Sequence, residues 1–305
     1  MKDAMYSIAI ACFLFASYSL KAQTSGFATS TDVKIYYRTF GEGIPLLIIN
    51  GGPGFNSKGF EEVAKHIAEM GYQSILYDQR GTGKSVLSVL DSNHLTLDLM
   101  VQDLEALRKT LGLEDWIVLG HSFGGMLANY YATKHPDHIR AIIHSSSGGV
   151  DLRLLSHAQN GINQNLSLSE QDSLRYWGER YRASNNPTDR RQFNRFFARA
   201  YVSDKKHVPQ VAERMMQGDR QINRLLWANM RAIDFDTKDI LWSFEKPVLI
   251  LQGDSDILAP QVAEDAHELF PNSSLHFIKN CGHYGWLDNP KEYWQAIEEF
   301  LKAFE

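Results

Sequence analysis

Gly120-His121-Ser122-Phe123-Gly124 is the stretch that most narrows what this chain can fold into. It follows Trp116-Ile117-Val118-Leu119, an apolar run of strand length, and leads into Gly125-Met126-Leu127-Ala128, the start of a helical pattern. The spacing predicts a buried strand, a sharp turn and a helix. Glycines on both sides of Ser122 let two backbones approach closely and let the turn take dihedrals that a Cβ forbids. In that context G-x-S-x-G is a nucleophile elbow, with Ser122 Oγ above the sheet and the Phe123 N–H aimed where an oxyanion would form. The same letters also fit a plain glycine-rich β–α turn, so the rest of the chain must decide.

Strand and helix signals alternate on both sides of that turn. Val33 to Tyr37 lies between polar turns and reads as part of an opening antiparallel hairpin over residues 26–40. Leu46-Leu47-Ile48-Ile49 has the continuous apolar character of a parallel strand buried on both faces, and it empties into Asn50-Gly51-Gly52-Pro53-Gly54. Ser74 to Tyr77 is the next strand and ends in Asp78-Gln79-Arg80-Gly81-Thr82-Gly83-Lys84-Ser85. Gly83-Lys84-Ser85 echoes a phosphate-binding loop, but the required first glycine is Asp78. A tight turn linking sheet to helix is the expected structure there. Further strands are expected at Ala141-Ile142-Ile143, Val248 to Leu251 and Leu275 to Ile278. Such alternation means a mostly parallel sheet covered by helices.

Between residues 151 and 239 the strands vanish and helical periodicity takes over. Phe193, Phe196, Phe197, Ala200 and Tyr201 share one helical face. This segment carries 15 basic and 11 acidic residues, against 16 and 25 in the rest of the chain. Two accounts of the arginines stay open: solvated outer faces of helices, or a basic lid over a site that accepts a carboxylate. The expected organisation is a core over 23–150 and 240–305 with a helical lid inserted at 151–239.

The net charge of −5 gives no reason to expect nucleic-acid binding. Lys2 precedes an apolar run from Ile8 to Leu20 that ends at Lys21-Ala22-Gln23. The run is shorter than the roughly 20 apolar residues that span a bilayer. It reads as an export signal over residues 1–22 cleaved after Ala22, giving a periplasmic or secreted protein with no stable membrane span. The rival is an uncleaved anchor. Removal of the leader leaves Cys281 as the only cysteine, so no internal disulfide can form.

A serine hydroxyl becomes a useful nucleophile only when a base takes its proton and a third group orients the base. Those partners should lie on loops beyond the carboxyl ends of the strands, where open α/β sheets place ligands. Asp254 and Asp256 both follow the Val248 strand; Asp256 is preferred because it leaves the loop room to turn, with Asp254 as a loop-stabilising side chain. His283, in Asn280-Cys281-Gly282-His283, is the base candidate. His121 points away from Oγ, and His135, His138 and His144 fit surface or packing roles. The order Ser122, Asp256, His283 is that of α/β-hydrolases. Gly52 and Phe123 are the expected oxyanion donors.

With those residues in view, the four blocks Asn50 to Gly54, Asp78 to Ser85, Gly120 to Gly125 and Gly282-His283 resemble the HGGPG, DQRGxGxS, GxSxGG and GH blocks of the prolyl aminopeptidase (proline iminopeptidase) family. The resemblance covers residues 27–150 and 240–305 and does not reach the lid. It implies an α/β-hydrolase fold and a serine peptidase, free of metals and other cofactors, that releases N-terminal residues from short peptides. Asn50 stands where the family usually has histidine. Ile257 stands where some relatives follow the triad aspartate with an acid that holds the substrate's amino group. A buried ammonium needs a negative partner, so Glu179 and Glu213 in the lid are the expected substrate-binding candidates. The alternatives are an esterase or lactonase of small acyl substrates, and a non-catalytic binding protein on the same fold.

Overall fold

The structure is a computed structural model and describes residues 23–304. The expected leader, residues 1–22, lies outside the described residues. Eight strands form one sheet: β1 (Thr24–Thr29), β2 (Lys34–Phe40), β3 (Pro45–Ile49), β4 (Gln73–Tyr77), β5 (Trp116–His121), β6 (Ile139–Ser145), β7 (Val248–Gly253) and β8 (Ser273–Ile278). Their spatial order is β1-β2-β4-β3-β5-β6-β7-β8. β1 and β2 pair antiparallel, β2 joins β4 antiparallel, and every pairing from β4 to β8 is parallel.

Strand residues alternate between two faces, and each face has its own helices. Leu47, Ile49, Val118, Ile142 and Ile250 point to one side. There they meet α2 (Leu97–Thr110), α3 (Phe123–Lys134) and α10 (Pro260–Leu269). Leu46, Ile48, Ile117, Leu119, Ile143 and Leu249 point to the other side, onto α1 (Glu61–Glu69) and the terminal α12 (Pro290–Leu301). A short α11 (Gly285–Asp288) precedes α12. The continuous apolar strands are therefore buried on both faces.

Between β6 and β7 the chain runs through α4 (Leu154–Gln164), α5 (Leu168–Ser184), α6 (Pro187–Ala200), α7 (Val208–Met216), α8 (Arg220–Ala232) and α9 (Lys238–Leu241). The two ends of this excursion meet: Asp151 bridges Asp236, and the Thr237 N–H donates to the Val150 carbonyl at 3.0 Å. α5 opens with a reciprocal capping box, Ser167 with Glu170, and α6 opens on the Asn186 side chain with Pro187 at its first position. α8 alone of these helices buries a full stripe, Ile222, Leu226 and Met230, in the same apolar cluster as α2. Asn229 of α8 also accepts from Leu97 N at 3.0 Å, at the head of α2. No described helix is long and apolar enough to cross a membrane.

Candidate active site

Ser122 sits between β5 and α3 with φ 55° and ψ −121°, in a region that L residues with a side chain rarely occupy. The neighbouring glycines make this possible: a Cβ on Gly120 would lie 2.6 Å from the Gly124 carbonyl oxygen, and one on Gly124 would lie 2.1 Å from that of Ile49. Ser122 N donates to Ser145 O at 3.1 Å, and Ser122 O accepts from Gly125 N and Gly148 N at 3.0 Å each. These bonds hold the turn from both sides. Phe123 is the first residue of α3, so its N–H has no acceptor within the helix, and the positive end of the helix dipole lies beside the hydroxyl.

The loop after β3 passes directly over this turn. A Cβ on Gly51 would lie 2.9 Å from Ser122 Cβ, and Gly52, with φ 154°, lines the same cavity as Ser122. Asn50 donates through Nδ2 to Gly51 O at 3.0 Å and Phe55 O at 3.1 Å, so it braces the loop from within. Gln79 Nε2 reaches Asn50 O at 2.8 Å, and Asp78 accepts from Ser57 N and Ser57 Oγ. The Asp78 block, expected as a simple tight turn, is thus also the outer support of the Gly51–Gly52 loop. Its Arg80 is buried and forked onto Asp103, with both N–O distances 2.7 Å.

His283 and Asp256 come together from separate loops. His283 Nδ1 is 2.8 Å from Asp256 Oδ1, and the Asp256 side chain is fully buried. A carboxylate only accepts, so Nδ1 carries the proton and Nε2 is left as the basic nitrogen. Leu258 N donates to the same Oδ1 at 3.1 Å, and Asp256 Oδ2 has no partner. Asp254 faces elsewhere and accepts from Asn280 N and Cys281 N, which ties the two loops together. The lid also fixes the histidine: His283 N donates to Tyr201 O at 2.8 Å, and the Tyr201 ring meets the imidazole edge-on at 5.3 Å. Asp288 accepts from Gly282 N, Ser203 N and Asp204 N, joining this loop to the lid. Neither role, that of Tyr201 beside the histidine or that of Asp288 between the loop and the lid, carries a signal in the sequence pattern.

The other histidines have different occupations. His121 holds Ser145 O through Nδ1 at 2.9 Å; burial, reinforced by nearby His283 and Arg214, keeps it well below the usual imidazole range and hence neutral. His144 bonds Asn129, and burial lowers it to about 4. Glu105, His135 and His138 cluster within reach of a metal ion. The Glu105 carboxylate, however, already accepts from Arg108, Tyr131 and His138, and the Arg108 guanidinium neutralises its charge.

Ser122 and His283 open onto one cavity of about 500 Å³ beneath the lid. Its apolar wall includes Phe193, Phe197, Tyr201, Trp227 and Ile257. The aromatic face anticipated on α6 is therefore largely cavity wall. Glu179 and Glu213, expected as substrate-binding acids, are exposed and do not line it. The helical wheel gives the reason. α5 turns Gly178 and Tyr181 inward, and α7 buries Val208, Val211, Ala212, Arg214 and Met215, so residues 179 and 213 face solvent. Arg180 pairs with Asp189 instead. The cavity is lined by Arg182, Arg190, Arg214 and Arg220, and its one acid is Asp219 at the rim. Asp219 Oδ1 is engaged by the Gln221 and Ile222 N–H groups at the start of α8.

Residues 44–290 match the alpha/beta hydrolase fold family. The proline iminopeptidase of Lacticaseibacillus rhamnosus (strain Lc 705) is 30% identical over 295 residues, covering 91% of this chain and 98% of that one. Among solved structures, the proline iminopeptidase of Mycobacterium smegmatis superposes with a TM-score of 0.68 at 22% identity, covering 92% of this chain and 98% of its own. An esterase from Exiguobacterium antarcticum superposes with a TM-score of 0.71 at 20% identity, covering 92% and 100%. At that identity the structural likenesses speak for the fold alone. Taken with the elbow, the glycine loop and the Gly282-His283 block, the matches establish that this chain belongs to the proline iminopeptidase family of α/β-hydrolases.

Proposed function

We propose that the protein is a serine hydrolase in which Ser122 attacks an acyl carbon, His283 carries the proton and Asp256 orients the imidazole. One observation carries this reading: a serine held at φ 55° shares a cavity with a histidine whose Nδ1 is 2.8 Å from a buried carboxylate. In the first step the Ser122 proton passes to His283 Nε2 as Oγ bonds to the carbonyl carbon. The oxyanion is held by the N–H groups of Gly52 and Phe123. Collapse expels the amine or alcohol with the proton from His283, and water then releases the acid by the same route in reverse. Asp256 holds the ring in place and stabilises the imidazolium.

For substrate, kinship supports release of N-terminal residues from short peptides. A second reading, hydrolysis of small esters or lactones, is favoured by the cavity itself. Ile257 is buried and apolar, Glu179 and Glu213 face solvent, and Asp219 is held at the rim by α8. No described acid lies deep in the cavity to receive a free ammonium. The two readings use the same machinery. The test is Ser122→Ala together with a serine-directed phosphonate. The variant should stay folded and lose at least about 10⁴-fold in kcat, and the probe should label Ser122 alone. Labelling at another residue, or turnover retained in the variant, ends the serine mechanism. Aminoacyl-naphthylamides set against acyl-nitrophenyl esters then decide the substrate class.

A further inference from the structure

Arg214 is a buried charge with no ion-pair partner among the described residues. It lies on the inner face of α7, is 8% exposed, and lines the cavity that holds Ser122 and His283. Its guanidinium packs on two aromatic rings, 5.3 Å from the Phe55 centroid and 4.7 Å from that of Phe60. Nη1 abuts Gly59, where a Cβ would lie 2.1 Å away, and has no hydrogen-bond partner. The polar company of the guanidinium is the Tyr284 hydroxyl, and no described carboxylate neutralises it. Aromatic faces offset part of the cost of burying a cation, but an unpaired buried charge remains expensive. Because Arg214 lines the cavity, an anionic group entering it would meet this uncompensated charge.

The surroundings point the same way. Arg190 lines the cavity while its Nη2 donates to Met215 O and Gly218 O, and Arg182 and Arg220 stand exposed at the mouth, Arg220 over the Tyr181 ring at 4.9 Å. Against these four arginines stands Asp219 alone. A site with this balance repels an ammonium and attracts a carboxylate, whose two oxygens suit a guanidinium fork.

We propose that this cavity selects acyl substrates bearing a free carboxylate, with Arg214 as the specificity-determining residue and the rim arginines drawing the anion in. The inference rests on the serine-hydrolase reading for the reaction and adds the class of molecule that the reaction acts on. On a dipeptide the carboxylate would be the C-terminus; on an ester it would be the far end of a dicarboxylic half-ester.

Two matched pairs test this on the wild-type protein: 4-nitrophenyl hemiglutarate against 4-nitrophenyl pentanoate, and alanyl-glycine against alanyl-glycinamide. The carboxylate member of at least one pair should be preferred by about ten- to a hundred-fold in kcat/KM, the range of a charged hydrogen bond. That preference should collapse in Arg214→Gln, return in part in Arg214→Lys, and weaken in the exposed-site variant Arg182→Gln. Equal or reversed rates in both pairs overturn the proposal. Calorimetric titration of the wild type with glutarate and with glutaramide reads binding without turnover, and glutarate should bind at least about ten-fold tighter. If neutral esters are cleaved and Ser122 is labelled, but neither assay favours the carboxylate, this inference fails and the hydrolase reading stands. If nothing is cleaved while glutarate binds in an Arg214-dependent way, the carboxylate site stands and the hydrolase reading fails.

Discussion

Holding Ser122 in a left-handed turn costs about 1–3 kcal/mol, and the surrounding bonds show how the fold sustains it. Ser145 O accepts from one side of the residue, and Gly125 N and Gly148 N donate to the other. The same economy of position separates the two aspartates two residues apart. Asp256 reaches His283; Asp254 reaches the Asn280 and Cys281 N–H groups. Asp256→Asn should leave the melting temperature nearly unchanged but lower kcat by roughly 10⁴-fold, because an amide no longer enforces the tautomer. Asp254→Asn should do the opposite, losing about 1 kcal/mol of stability with kcat reduced less than tenfold. Steady-state kinetics and thermal melts on both variants check this, and a reversal would exchange the roles of the two acids.

At the scale of elements, the pieces are joined by buried polar clusters, and Glu105 is the clearest. It projects from α2 and accepts from Arg108 of the same helix, Tyr131 of α3 and His138 at the entry to β6. Burial alone would raise its pKa, but these donors outweigh burial and hold it at about 2, against 4.5 for a free side chain. A carboxyl depressed by folding stabilises the native state above its unfolded pKa and loses that contribution as pH falls through the folded value. Between about pH 5 and pH 2 the wild type should therefore lose on the order of 3 kcal/mol from this group alone. Glu105→Gln should be less stable at pH 7 and show a flatter stability profile across that window in denaturant melts. The same scale explains what the sequence made legible. The triad candidates lay on loops punctuated by glycine after apolar strands, so their positions followed from strand periodicity. Lid residues carried no such punctuation. Glu179 and Glu213 stand out in the sequence by charge alone, whereas their direction depends on which face of α5 and α7 turns inward. The period of α7 did hold the signal: Val208, Val211, Ala212 and Met215 define an inner stripe, and Arg214 stands three residues after Val211 on its edge.

For the whole molecule, the sheet was legible because runs such as Leu46 to Ile49 are too apolar and too short for anything but buried strands. How firmly the inserted helices join the sheet was not, since that depends on contacts between segments more than a hundred residues apart. Those contacts make the lid part of the core. Ile222, Leu226 and Met230 are 0–1% exposed within the cluster that also holds Leu104 and Leu107 of α2. Asn229 accepts from Leu97 N, Gln221 Nε2 donates to Leu90 O at 2.9 Å, and Asn223 Nδ2 donates to Pro53 O at 3.1 Å. The last of these ties α8 to the loop that carries Gly52. A lid attached only at its ends would melt on its own and leave the sheet intact. This one should unfold with the sheet, since exposing α8 strips apolar cover from α2. Met230→Ala removes a fully buried side chain and should cost about 2–5 kcal/mol. In a chain of this size that lowers Tm by roughly 3–8 °C. Scanning calorimetry should show a single transition in both the wild type and the variant, and loss of activity should track the loss of helical signal. A separate low-temperature transition in Met230→Ala, with the sheet still folded, would mean that the lid is an independent unit and that α8 does not couple it to the core.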